Sequence, residues 1–252
     1  MSDFRYYRPS NFPPIVKNLI IINVLVWTAQ IMLNSQYHLT EFLQLNPIIP
    51  RQLQNVLQQM NSYSGANKFQ PYQIFTHMFA HAAVDPRGGI IFYHILFNMF
   101  SLWMFGRILE NVWGPKRFLF FYLACGIGAA ALHLAIQYFR SEALLSAIYA
   151  NDQEQFNRFS GALAAAVGAS GAIMGLFAAF AYLFPNTELM FLFIPFPIKA
   201  KWMVLVMVGL DLFGGVSNFS GDNIAHFAHL GGAITGFIIV FIWNKTNRRT
   251  LY

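Results

Sequence analysis

The sequence predicts an all-α membrane protein, a bundle of six transmembrane helices with a long interfacial loop between the first and the second. Three observations predict it. Of 252 residues, 56% are hydrophobic and only 10% are charged, whereas soluble domains carry roughly 25% charged residues. The apolar residues gather into six segments that suit membrane helices. Lysine and arginine are divided unevenly between the two sets of connections. Nearly all of the length goes into these segments, so residues 1–252 are expected to form a single membrane domain.

The first segment, residues 15–33, follows Arg5, Arg8 and Lys17 and has no small-residue cleavage site, so it reads as a retained anchor. Residues 34–89 are too mixed to span. Phe42, Leu43, Leu45, Ile48 and Ile49 form an amphipathic portion and residues 52–59 are rich in glutamine, which predicts short helices at the outer interface. The second and third spans are residues 90–109 and 118–137, followed by a polar connection over 140–160. The fourth span is 170–184. Residues 190–198 are apolar but broken by Pro195 and Pro197, which predicts an interfacial extended segment. Residues 202–216 and 224–243 complete the set. The lone Cys125 sits in an apolar run, excludes an intramolecular disulfide and reads as a small core residue.

Charge sets the orientation. With the N-terminus inside, the inner side holds Arg5, Arg8, Lys17, Arg107, Lys116, Arg117, Lys199, Lys201, Lys245, Arg248 and Arg249, eleven in all. The outer side holds Arg51, Lys68, Arg87, Arg140 and Arg158, five residues spread over longer loops. Both termini are therefore expected inside. Topology accounts for the net charge of +6, and no nucleic-acid partner is needed.

Polar residues in spans are costly and usually functional, so their depth matters. Helices rise 1.5 Å per residue through a hydrocarbon core about 30 Å thick. From Phe184 back to Ser170 is fourteen steps, about 21 Å, which puts Ser170 roughly 9 Å below the outer boundary. From Trp243 back to His229 is again fourteen steps and gives the same level. His94 lies thirteen steps from Arg107, close to that level, with Asn98 one turn deeper. Four polar residues thus converge on one layer. Gly171 and Gly175, and again Gly232 and Gly236, have the GxxxG spacing that lets membrane helices pack closely, just below Ser170 and His229.

Five phrases now fall into order along the chain: Phe75-Thr76-His77, His94-Ile95-Leu96-Phe97-Asn98, the stretch from Gly106-Arg107 through Glu110 to Trp113-Gly114, Gly168-Ala169-Ser170-Gly171 and Ala228-His229-Leu230-Gly231-Gly232. In these the chain resembles the rhomboid family of intramembrane serine proteases, from about residue 15 to 243. The resemblance implies a rhomboid-like fold and an endopeptidase that cuts within or next to transmembrane segments of other membrane proteins. Ser170 would be the nucleophile and His229 the base, a dyad with no obligatory acid. His94, Asn98 and the backbone N–H of Ser170 would hold the oxyanion. No cofactor or metal is implied. Transmembrane protein substrates and the bilayer are the implied partners, with a bacterial cytoplasmic membrane the suited location; the sequence says nothing of oligomeric state. Ser170 begins a helix, whose free N–H groups and positive dipole end independently suit an anion. Two departures stand out. Met174 occupies the position one turn after the nucleophile where family members often carry an aromatic residue, and Tyr72-Gln73 replaces a tryptophan-arginine pair near the Phe-Thr-His phrase.

Other residues have plainer readings. His226 is expected to be an interfacial histidine, the alternative being a lining of the water-accessible access path. His77 and His81 have helix-face metal spacing, but without an HExxH phrase they read as structurally hydrogen-bonded. Asp211 either orients His229 as a third member or is hydrogen-bonded or hydrated near the outer end of its span; the second reading is favoured. Arg107 and Glu110 read as an interfacial lock. Residues 214–221, rich in glycine and serine, have the composition of a mobile lid. Among other functions, a non-catalytic rhomboid-like adaptor would typically lack the serine or the histidine. A transporter would show inverted repeats around a central site. Zinc and aspartyl intramembrane proteases would need HExxH or paired span aspartates.

Overall fold

The computed structural model describes residues 9–60, 68–85, 87–190, 196–216 and 225–246. Six long helices form the body: α1 (Pro14–Tyr37), α5 (Tyr93–Trp113), α6 (Pro115–Ala150), α8 (Ser170–Leu183), α9 (Ala200–Val216) and α10 (Ala225–Thr246). Short helices α2 (Leu39–Leu43), α3 (Arg51–Gln59) and α4 (Gln73–Thr76) fall between α1 and α5, and α7 (Gln153–Phe159) with a 3₁₀ turn (Ser160–Leu163) between α6 and α8. Among the described residues, three helical stretches are long and apolar enough to cross a membrane: Pro14–Asn34, Pro115–Ala150 and Ala225–Thr246. Their outward faces and that of α9 are apolar, with Leu25, Phe213 and Ile234 each more than half exposed. Soluble proteins rarely show so much contiguous apolar surface. This is a helical membrane protein.

Helix α8 is the centre, packed by α5, α6, α9 and α10. It has 14 residues, about 21 Å of helix, and every residue from Ala172 to Ala179 is buried. The contact between α8 and α10 is backbone to backbone. A methyl group added at Gly232 would overlap the Gly171 carbonyl, and one at Gly236 would lie 2.7 Å from Gly175 Cα. The two small-residue faces therefore meet along their length. Toward the other end Phe105 packs edge-on against Phe177 and Phe180, with ring centroids 4.6 and 5.0 Å apart.

Several boundaries differ from the sequence reading. Helix α5 starts at Tyr93 and not at 90, because Val84 and Ile90 form an antiparallel bridge closed by Asp85, whose Oδ1 accepts from the N–H groups of Arg87 and Gly89. The helix of the third expected span continues past 137. Helix α6 runs 36 residues to Ala150, about 54 Å, and much of the supposed polar connection is helix. The cause is an apolar stripe: Leu144 and Leu145 bury against Leu53 and Leu57 of the amphipathic α3. Asn151, at φ 55°, ends α6, and the Asp152 carboxylate caps α7 by accepting from Gln155 N–H. The first, fifth and sixth segments begin or end a few residues from the expected limits. Flanking the extended segment expected at 190–198, Glu188–Leu189 pairs antiparallel with Ile198–Lys199; residues 191–195 lie outside the described residues.

Glu110 and Arg107 have separate structural roles. The buried Glu110 carboxylate accepts from the N–H groups of Ile15 and Val16 at 2.9 and 2.8 Å, so it caps α1 and sits at the positive end of its dipole. Arg107 lies over the Trp103 ring, 4.2 Å from its centroid.

Candidate active site

Ser170 is the first residue of α8 because the chain arrives extended and turns at Gly168. Gly168 has φ 126°, a conformation that favours glycine. Its N–H donates to the His77 carbonyl, and a Cβ there would stand 3.2 Å from His94 Nε2. The serine is thus held at a helix start with its backbone amide unpaired within α8.

The structure brings Ser170 and His229 together, with Oγ to Nε2 2.9 Å. His229 Nδ1 is 3.0 Å from Asp211 Oδ1, and His226 Nδ1 is 2.8 Å from the same oxygen. A carboxylate only accepts, so both Nδ1 atoms carry the proton. His229 Nε2 therefore offers its lone pair to the Ser170 hydroxyl. Asp211 is 8% exposed and bonded to two imidazoles: it is hydrogen-bonded, as the favoured reading allowed, and one of its partners is His229, as the alternative allowed. His226, expected to be an interfacial histidine or a lining of the access path, bonds the same carboxylate and is half-buried. Asp211 was findable. Ten steps from Lys201 at 1.5 Å each give about 15 Å, mid-depth if the expected fifth span crosses the bilayer. A carboxylate at that depth needs partners.

His94 and Asn98 stand on α5. Ala82 N–H donates to His94 Nδ1 at 3.0 Å, which fixes the neutral imidazole with its proton on Nε2, facing the Gly168–Ser170 corner. Asn98 donates from Nδ2 to the His94 carbonyl at 2.8 Å, and its Oδ1 is buried without a partner. Asn98, Ser170, Asp211 and His229 line one cavity of about 330 Å³, which is otherwise mostly apolar; His94 stands behind Gly168 and does not line it. Met174 is buried beneath Ser170 and lines the same cavity as His229.

The loop before α5 is seated by the two residues that depart from the family pattern. Gln73 is buried, accepts from Asn46 and Gln70 N–H groups and donates to the Phe42 carbonyl. Tyr72 stacks on Phe42 with centroids 4.9 Å apart. His77 Nδ1 donates to the Gln73 carbonyl, and His81 bonds Asn23 Oδ1 through Nε2. Burial pushes the His77 pKa down to about 4, assisted by nearby His133, and that of His81 down to about 3. Of the expected lid, Gly214 and Gly215 belong to the last turn of α9, where they make room for the His226 and Phe227 rings. Residues 217–221 lie outside the described residues. Arg140 donates to the Gly215 carbonyl at 2.6 Å and so caps α9 from α6.

Among the described residues, Asp211, His226 and His229 are a group with metal-binding side chains close together, their ligand atoms within 4.8 Å of one another. The hydrogen bonds of both imidazoles to the one Asp211 oxygen account for that closeness.

A serine and a histidine joined across two packed helices, α8 and α10, lie inside a helical membrane protein. The rhomboid domain model matches residues 68–246, and the chain belongs to the rhomboid family. It is 26% identical to RHOMBOID-like protein 1 of Arabidopsis thaliana over 96% of this chain and 57% of that protein. It is 30% identical to rhomboid protease GluP of Bacillus subtilis over 57% of this chain and 22% of that protein. It is 27% identical to the mitochondrial Rhomboid protein 1 of Saccharomyces cerevisiae over 58% of this chain and 37% of that protein. The chain thus spans between about a fifth and just over half of the length of these relatives.

Proposed function

We propose that this chain is an intramembrane serine endopeptidase that hydrolyses peptide bonds within or next to transmembrane segments of membrane-protein substrates. The observation that carries the reading is the 2.9 Å contact between Ser170 Oγ and His229 Nε2 at the start of α8, beside a cavity. Ser170 is the nucleophile. His229 takes its proton as Oγ attacks the scissile carbonyl carbon, then gives that proton to the leaving nitrogen as the C–N bond breaks. Water, activated by the same imidazole, hydrolyses the acyl-enzyme. The Ser170 backbone N–H, the His94 Nε2–H and the second Asn98 amide hydrogen are the donors for the oxyanion. Such preorganised donors act most strongly away from bulk water. The name of the GluP relative supports proteolysis, as does the presence of both Ser170 and His229.

In this reading residues 1–252 form one membrane domain in which α1, α5, α6, α8, α9 and α10 each cross the bilayer, with both termini on the inner side, as the Lys/Arg distribution directs. Helix α8 is too short to cover the full core. Its start is sunk below the outer surface, and the extended chain ahead of Ser170 lets water reach that depth. The relatives include plant, mitochondrial and bacterial proteins, so the comparison does not single out the bacterial cytoplasmic membrane.

A fluorophosphonate probe tests the reading. In detergent, wild type should be labelled and Ser170→Ala and His229→Ala should not. Equal labelling of all three would remove Ser170 from the chemistry. A folded wild type that is never labelled would favour the non-catalytic adaptor.

A further inference from the structure

We propose that Asp211 is the positioning residue for His229 and that His226 tunes it by drawing on the same carboxylate oxygen. The inference rests on the protease reading and deepens it, turning a serine-histidine pair into a three-helix relay with a regulator attached.

The geometry is specific. Asp211 Oδ1 lies 3.0 Å from His229 Nδ1 and 2.8 Å from His226 Nδ1, while His229 Nε2 lies 2.9 Å from Ser170 Oγ. The carboxylate cannot donate while ionised, so it selects the His229 tautomer whose Nε2 is a base toward Ser170. The three groups come from α9, α10 and α8. They lie on three separate helices, and the His229 imidazole is held at both nitrogens, with the His226 ring edge-on at 6.4 Å. A carboxylate inside a membrane span is retained at considerable cost. Positioning a base gives this one a use.

The proton balance follows. As the Oγ–C bond forms, the Ser170 proton passes to His229 Nε2 and the imidazole becomes a cation. The ionised Asp211 stabilises that cation through Nδ1–H and stays ionised throughout. The proton leaves on the departing amine nitrogen and the imidazole returns to neutral. His226, donating to the same Oδ1, withdraws part of the carboxylate's accepting power from His229. Removing His226 leaves that carboxylate oxygen to His229 alone.

The other titratable or charged groups near this trio are few. Helix α5 presents His94, whose Nε2 faces the Gly168 side of Ser170. Helix α6 presents Arg140, which donates to the Gly215 carbonyl one turn beyond Asp211. Helix α8 presents Ser170. Among the described residues, Asp211 is the group bonded to His229 Nδ1.

The test uses the full chain in proteoliposomes with a transmembrane substrate, following kcat and KM across pH, with fluorophosphonate labelling in parallel. Asp211→Asn should lower kcat by about 10²–10⁴-fold while KM stays within about 3-fold, because the substrate is bound but the base is misdirected. Its acid limb should move to lower pH, since the charge that favours the imidazolium is gone. Asp211→Glu should recover part of the lost kcat. His226→Ala should move the acid limb the opposite way, to higher pH. A merely structural Asp211 would not produce these opposed shifts. Should Asp211→Asn fail to accumulate, Asp211→Glu and His226→Ala carry the same test: limbs unmoved in both overturn the proposal. Ser170→Ala inactive while Asp211→Asn retains wild-type kcat and limb would overturn the proposal and leave the protease reading standing. A wild type that neither cleaves nor labels would overturn both.

Discussion

Ser170 and His229 could be read in the sequence because helix rise converts position into depth, and both count to fourteen steps from the inner end of their spans. Asp211 was open to the same count, yet a lone carboxylate in a span invites a surface reading unless its depth is taken. What the sequence does not contain is which nitrogen of which ring meets which oxygen. That depends on the rotation of α9 against α10, set by Gly214 and Gly215 yielding space to His226 and Phe227. For the proposed oxyanion donors, Asn98→Ala and His94→Ala should each lower kcat by about 10²–10³-fold with the fold intact, measured by turnover alongside thermal unfolding. The buried histidines of the loop before α5 predict a pH effect on stability. His77 has its pKa near 4 in the fold against 6.5 when unfolded, and His81 near 3. Below pH 6.5 the unfolded chain takes up protons that the folded chain refuses, so stability is complete above that pH and falls as pH drops toward 4 and then 3. His77 alone should account for about 3 kcal/mol at pH 4. Thermal unfolding in detergent between about pH 7 and pH 4 checks it, and His77→Gln should flatten the profile.

Helix contacts carry their own predictions. The α8–α10 seam has no room for a side chain, since a methyl at Gly232 overlaps the Gly171 carbonyl, which cannot swing away as a side chain would. Gly232→Ala should destabilise by about 3 kcal/mol or more. Gly209, on the outer face of α9, has open space where a methyl group would go, with nothing within 4 Å, and Gly209→Ala should be neutral or stabilising by up to about 1 kcal/mol. Unfolding midpoints of the two variants in one detergent decide the matter. The small-residue spacing made this seam visible beforehand. The length of α6 was not visible, because residues 138–150 mix Arg140, Ser141 and Glu142 with the leucines and alanines. Only α3, folded back from far along the chain, supplies the surface that Leu144 and Leu145 cover. Glu110 is similar: the groups it accepts from, the first N–H groups of α1, lie 94 and 95 residues away.

Taken whole, the molecule sets an apolar exterior around a small polar centre. Apolar side chains such as Leu25, Phe213 and Ile234 face outward, while Ser170, Asp211, His229 and Asn98 turn toward one cavity between α5, α8, α9 and α10. The inversion fits the proposed hydrolytic site inside a bilayer, which would need water admitted at one point and excluded elsewhere. Composition and span pattern made the exterior legible, and the motifs named the centre; the cavity itself arises from packing and has no linear signature. The most direct measurement is cleavage of a reconstituted single-span substrate in proteoliposomes, with the cut mapped by mass spectrometry. Wild type should cut within or next to the substrate's transmembrane segment, and Ser170→Ala and His229→Ala, folded to the same extent, should not. Undiminished cutting by Ser170→Ala would contradict the account.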